Sequence, residues 1–135
     1  MRLAGYKVGS VLAAAVAIYA VGFITYGLLF DAQWMTWNGY SDASFAGQEW
    51  RMALSPVMPI LIAVGLAWLL RSLNVTGFAR AVGVGLAAGL FFAVSDRLYG
   101  FVYGIEPVQL LALDAGHQLA CFLVGSAVLG LMKPA

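Results

Sequence analysis

The sequence predicts an all-α fold, an integral membrane four-helix bundle with both termini in the cytoplasm. Three observations predict it. Four stretches are each long and apolar enough to cross a bilayer. Of the 135 residues 63% are hydrophobic and 10% charged, with a mean hydropathy of +0.92, far above what a water-facing surface sustains. Finally, the Lys and Arg residues fall on one side of a four-span arrangement and the acidic residues on or towards the other.

The first apolar stretch, 8–30, follows Arg2 and Lys7 and so has the flank of a secretory signal. Its length exceeds the short apolar core of a cleaved signal, so a retained span is expected. An outer loop, 31–51, comes next and is the one connection long enough to form a cap or a partly inserted segment. Trp34, Trp37 and Trp50 lie in or beside this loop, and Trp68 lies at the inner end of the second span. All four are expected as interface anchors, because an amphipathic ring favours the headgroup layer; stacking against a substrate is the alternative use of the outer three.

The second span, 52–70, carries Pro56 and Pro59 near its outer end, where they are expected to kink the helix or free carbonyls. A polar stretch with Ser72, Asn74, Thr76 and Gly77 separates it from the third span, 81–103. A tight turn through Gly104 and Glu106 then leads to the fourth, 107–132, opened by Pro107 as suits a first helical turn. The whole forms a single transmembrane domain.

Direction follows from charge. Arg2, Lys7, Arg71, Arg80 and Lys133 share the side that positively charged flanks keep in the cytoplasm. Asp31, Asp42, Glu49, Asp96, Glu106 and Asp114 fall on or towards the opposite side, and three or five spans would destroy this agreement.

Small residues supply the packing signals, since helices in lipid associate through close backbone approach. The third span has Ala81, Gly85, Gly89 and Ala93 at four-residue steps; the first has Gly9, Ala13 and Ala17, and the fourth Gly116 and Ala120. Such seams serve either the bundle itself or a homo-oligomer. The first and third spans also match when Lys7 is laid on Arg80 and Tyr26 on Tyr99, a weak sign of a duplicated two-helix unit.

Ionisable groups inside a span are costly and normally face the protein interior, pair, or line water. Asp96 and Arg97 on the third span and Asp114 on the fourth lie about 10 Å inside the outer helix ends, close enough to meet. Asp114, His117, Gln118, Cys121 and Gly125 share one helical face at i, i+3, i+4, i+7 and i+11, and this stripe should face inward. Tyr26 and Asp31, ending the first span, are expected to join an outer polar pocket of Asp96, Arg97, Asp114, His117 and Gln118.

Two uses of that pocket stay open. One is an ion-pair network that holds helix register. The other is a proton- or ion-responsive path in a small transporter or channel, with His117 as the titrating group. Catalysis is disfavoured because the chain has one histidine and no nucleophile visibly paired with a base. A single cysteine excludes an internal disulfide and supplies neither a zinc nor an iron–sulfur set. Nothing marks a second ligand for a haem on His117, and no cofactor is expected. A net charge of +1 with scattered basic residues excludes nucleic acid as a partner. The expected partners are membrane lipid and either further copies of the chain or other membrane subunits.

The run Gly22, Phe23, Ile24, Thr25, Tyr26, Gly27, Leu28, Leu29, Phe30, Asp31, Ala32, Gln33, Trp34, Met35 resembles the end-of-first-span signature of small bacterial membrane proteins grouped as domain-of-unknown-function family 1761. The last span, with Asp114, Ala115, Gly116, His117, Gln118 and Leu119, then Phe122, Leu123 and Gly130, is similar to that family's final helix. Thr25 stands where the family often has Trp, Leu28 where proline is usual and Asp31 where glycine is common; His117 and Gln118 stand for its Tyr-His pair. The resemblance implies a four-span bacterial inner-membrane protein and supplies no reaction. The expectation is therefore a non-enzymatic bundle that assembles with itself or within a larger membrane complex, the small transporter being the alternative.

Overall fold

The computed structural model describes residues 1–132 and 134; Lys133, one of the five basic residues that set the expected direction, lies outside them. Five helices carry the described chain: α1 (Val8–Leu29), α2 (Asp31–Asn38), α3 (Val57–Ser72), α4 (Phe78–Gly104) and α5 (Val108–Leu131). Four of these segments are long and apolar enough to cross a membrane, α3 together with the 3₁₀ turns Glu49–Leu54 that precede it. Each places about 20 or more residues in a helix, matching roughly 30 Å of hydrocarbon.

The four long helices alternate in direction, with α5 at the centre, packed against α1, α3 and α4. Its inward stripe of Cys121, Gly125 and Leu129 meets Val11, Ala14 and Ile18 of α1 and Ala63, Leu66 and Ala67 of α3, while Ser126 meets Gly85 of α4. Small residues set how closely these helices approach, because the lipid supplies no hydrophobic drive between them. A methyl group on Gly125 would stand 2.8 Å from Ile18 Cδ1 and 2.9 Å from Leu66 Cδ1, so this glycine marks the point where three helices converge.

Gly85 and Gly89 face α5 and are buried there. A side chain on Gly85 would overlap Ser126 and come 2.8 Å from the Phe122 carbonyl oxygen; one on Gly89 would press on Phe122 at 3.0 Å. The seam of Gly85, Gly89 and half-buried Ala93 is thus used inside the chain. Gly9 and Gly116, from the other two small-residue rows, are exposed with open space beside them.

Pro56 and Pro59 do not kink a helix. Pro56 precedes α3 and Pro59 sits in its first turn, where the missing N–H would have had no intrahelical partner. The prolines therefore set where the regular helix starts.

One end of the bundle carries Arg2, Lys7, Arg71 and Arg80 and gathers both ends of the described chain. There residues 1–7 form a two-rung antiparallel hairpin, Arg2 opposite Lys7 and Leu3 opposite Tyr6. Its turn, Ala4 and Gly5, has both φ values positive (50° and 83°), the geometry that matches strand twist in a two-residue hairpin. Gly5 lies against the Arg71 side chain, where a methyl group would stand 2.7 Å from Cγ. Tyr6 is 2% exposed and plugs the space beside Val75 and Leu129. Burial pushes its hydroxyl above the usual tyrosine value, an effect the nearby Arg71 charge partly opposes.

The other end is acidic and more open. Between 17% and 28% of each apolar window is buried, so most of the apolar helix surface, including Leu12, Val16, Phe23, Leu61, Phe91 and Leu123, faces outward as in a protein solvated by lipid.

Candidate functional site

The polar groups that the sequence places in the spans meet at the acidic end, between α1, α4 and α5. Two π-helical segments aim them. The first, Phe23–Leu29, ends with Phe30 N–H donating to the Thr25 carbonyl, five residues back, at 3.0 Å. Such wide turns shift the helical register of the residues beyond them, and Tyr26 in this segment is turned towards α5. In α4 the second, Gly89–Val94, comes immediately before Ser95, Asp96 and Arg97.

Asp114 is the hub. Its Oδ1 accepts a 2.6 Å hydrogen bond from the Tyr26 hydroxyl, and its Oδ2 accepts a 2.8 Å bond from Arg97 Nε. The Arg97 guanidinium also pairs with Glu106 through Nη2. The two side chains of the Arg97–Asp114 bridge are 18% and 19% exposed. A charge-assisted bond on each carboxylate oxygen, at this depth, is the arrangement that offsets the cost of placing the charge there.

Glu106 belongs to this network, although the sequence places it only in a loop. Ile105 adopts a left-handed backbone with φ 54° that reverses the chain and brings Glu106 back over α4. Gly100 leaves the room for this, a methyl group there lying 3.5 Å from the carboxylate and overlapping the Arg97 guanidinium. The only sequence signal for it is the glycine one helical turn beyond Arg97 and the short turn after it.

His117 lies one turn beyond Asp114 on α5. Its ring meets Tyr26 edge-on, centroids 4.7 Å apart at 65°, and its Nε2 is 3.3 Å from Cys121 Sγ. Gly22 of α1 permits this approach, since a methyl group there would be 3.3 Å from Nε2. The far edge of His117 helps line a groove of about 530 Å³, open to the outside, with Thr25, Phe30, Trp37, Gln109 and Gly116.

Two residues expected in the pocket are not in it. Asp96 is exposed: it follows the second π segment, and a helix turns about 100° per residue, so aiming Arg97 at Asp114 aims Asp96 away. Asp31 is exposed at the start of α2, where a helix N-terminus favours an acidic residue. Gln118 is half-buried on α5, and no hydrogen bond of its side chain is found among the described residues. Of the expected constellation, the structure thus brings together Tyr26, Arg97, Asp114 and His117.

The tryptophans divide by use. Trp34 joins an aromatic cap, edge-on to Tyr26 at 6.1 Å and to Tyr40 at 5.5 Å and stacked with Phe45 at 6.4 Å. Trp37 lines the groove. Trp50 and Trp68 stand exposed at opposite ends of the second span.

A family model described as "Protein of unknown function (DUF1761)" matches residues 10–130. No curated protein matches the chain, nor does any solved structure.

Proposed function

We propose that this chain, which belongs to the DUF1761 family, is a non-enzymatic multi-pass protein of the bacterial inner membrane, both termini cytoplasmic, that works by assembling with itself or with other membrane subunits. The observation that carries the reading is the closed state of its polar network. Both Asp114 oxygens are taken, one by Tyr26 and one by Arg97, and Glu106 takes the other side of the same guanidinium. These contacts tie α1 to α5, α5 to α4, and α4 to the turn after it, which is the work of a clamp. Each carboxylate oxygen is thereby committed to a contact between helices.

The direction rests on the basic end of the bundle and the rule that positive flanks stay in the cytoplasm. The test is mass in lipid: the purified chain in nanodiscs of bacterial phospholipid should show multiples of 14.3 kDa, or co-purify with other membrane chains at fixed ratio. A species that is a lone monomer in both settings refutes the reading.

One observation supports a second reading, a small transporter: the His117 edge opens on the groove beside Gln109 and Thr25. Proteoliposomes decide it. A proton or ion flux that disappears in His117→Ala supports transport, and no flux above empty vesicles refutes it.

A further inference from the structure

We propose that the exposed face of α4 around Asp96 is where a second copy of this chain docks, with Arg51 of that copy as the partner of Asp96. The proposal rests on the assembly reading and adds the surface and the pair.

Asp96 is the misfit of the structure. It lies 16 residues beyond Arg80, or about 24 Å along the helix. With Arg80 at one boundary of a roughly 30 Å hydrocarbon layer, Asp96 stands about 6 Å inside the other. Its side is the open one: Phe92, Ser95, Tyr99 and Tyr103 are exposed on the same face. A carboxylate turned to acyl chains is unfavourable, and such groups face protein or water and pair.

No cation of its own chain pairs with it among the described residues. Among the described residues, Arg2, Lys7, Arg71 and Arg80 lie at the opposite end of the bundle, and Arg97 is held by Asp114 and Glu106. Arg51 remains, among the described residues the one cation at the acidic end without an ion pair. It sits in the 3₁₀ segment Glu49–Leu54, every residue of which is exposed, and its guanidinium lies over the Trp50 ring at 5.5 Å.

Depth agrees. Arg51 is about 33 Å above Arg71, from about 21 Å of α-helix and about 12 Å of 3₁₀ turns. That is about 9 Å above the level of Asp96, a drop that an arginine side chain turned downward and its hydrogen bond can cover. The surfaces match in kind as well. Tyr99 and Tyr103 stack at 6.1 Å on one and Trp50 stands beside Arg51 on the other, and aromatic residues with arginine are what interface centres favour. A two-fold axis along the membrane normal would form the pair twice, Asp96 to Arg51 and Arg51 to Asp96, closing the assembly at two copies.

The test uses the full chain in nanodiscs and liposomes, with dimerisation read from mass and from subunit photobleaching across a range of protein-to-lipid ratios. Asp96→Asn and Arg51→Gln should each weaken dimerisation at least tenfold. Asp96→Lys and Arg51→Asp should each abolish it, and the two combined in one chain should restore it to within threefold of the wild type. Restoration by the exchange supports the pair, because misfolded single variants would not be repaired by a second charge reversal. A wild-type dimer indifferent to Asp96→Asn and Arg51→Gln overturns this interface while leaving self-assembly standing. A wild-type chain that stays monomeric at every ratio overturns the interface together with self-assembly, and one whose Asp96 governs capture of a different subunit overturns it in favour of a foreign partner.

Discussion

Replacing Asp114 by Asn tests whether the polar network holds the bundle. The carboxylate accepts two charge-assisted bonds, 2.6 Å from Tyr26 and 2.8 Å from Arg97, and a hydrogen bond to a charged group contributes about 1.5–3 kcal/mol. The Arg97–Asp114 side chains are 18% and 19% exposed. The loss should therefore fall between the roughly 0–1 kcal/mol of a surface pair and the roughly 3–5 kcal/mol of breaking a buried one. Two features moderate it: Arg97 retains Glu106, so no bare cation is left, and the Asn carbonyl can still accept one bond. The expected cost is about 2 kcal/mol for Asp114→Asn and about 3–4 kcal/mol for Asp114→Ala. Tyr26→Phe should lose about 1–2 kcal/mol, and its double-mutant cycle with Asp114→Asn should show a coupling of about 1 kcal/mol. The assay is reversible unfolding in mixed micelles followed by tryptophan fluorescence, to which Trp34, packed edge-on to Tyr26, is a local reporter. If Asp114→Asn stays within about 0.5 kcal/mol of wild type, or the two substitutions simply add, the clamp argument is wrong.

Gly85→Ala should cost about 1–3 kcal/mol in the same assay because its methyl group meets Ser126 and the Phe122 carbonyl, whereas Gly9→Ala, with open space around it, should leave stability within about 0.5 kcal/mol. Cys121 is 1% exposed, so a membrane-permeant maleimide should label it only after unfolding; rapid labelling of the native protein would contradict the packing of α5 on α1 and α3. Tyr6 contributes in a pH-dependent way. Its folded-state pKa lies above the ordinary 10.0, so the folded chain keeps a proton that the unfolded chain releases. The contribution is whole below about pH 10 and is lost as pH rises through the raised folded value. Thermal midpoints taken at about pH 9 and about pH 11 should fall more in wild type than in Tyr6→Phe, and equal falls would refute the burial argument.

Much of the architecture is legible in the chain itself, and the differences share a cause. The four spans, the long first connection, the tight turn before α5 and the collection of basic residues at one end are all readable. So is the meeting of Tyr26, Arg97 and Asp114, because helical spacing and similar depth confine them. Asp96 departs from expectation since neighbouring residues on a helix point about 100° apart, and only one of Asp96 and Arg97 can face α5. Pro56 and Pro59 suggest kinks only if the regular helix begins earlier than Val57, which it does not. The N-terminal hairpin carries no clear signal, its turn using Ala4 at a positive φ where Asn or Asp is the usual choice.

Apolarity summed over some 20 residues decides whether a segment enters lipid, and it is a local property that needs no partner. Sequence alone therefore determined the number of helices long and apolar enough to cross, their approximate limits and the end at which the charges gather. Which side of each helix faces inward is a matter of angle. Two wide π turns change that angle by amounts no periodicity reveals, and only their packing on α5 settles it. The tertiary structure alone thus decided that Glu106 turns back onto Arg97 beside Asp114, that the Gly85–Gly89 seam is used within the chain, and that Asp96 is left facing outward.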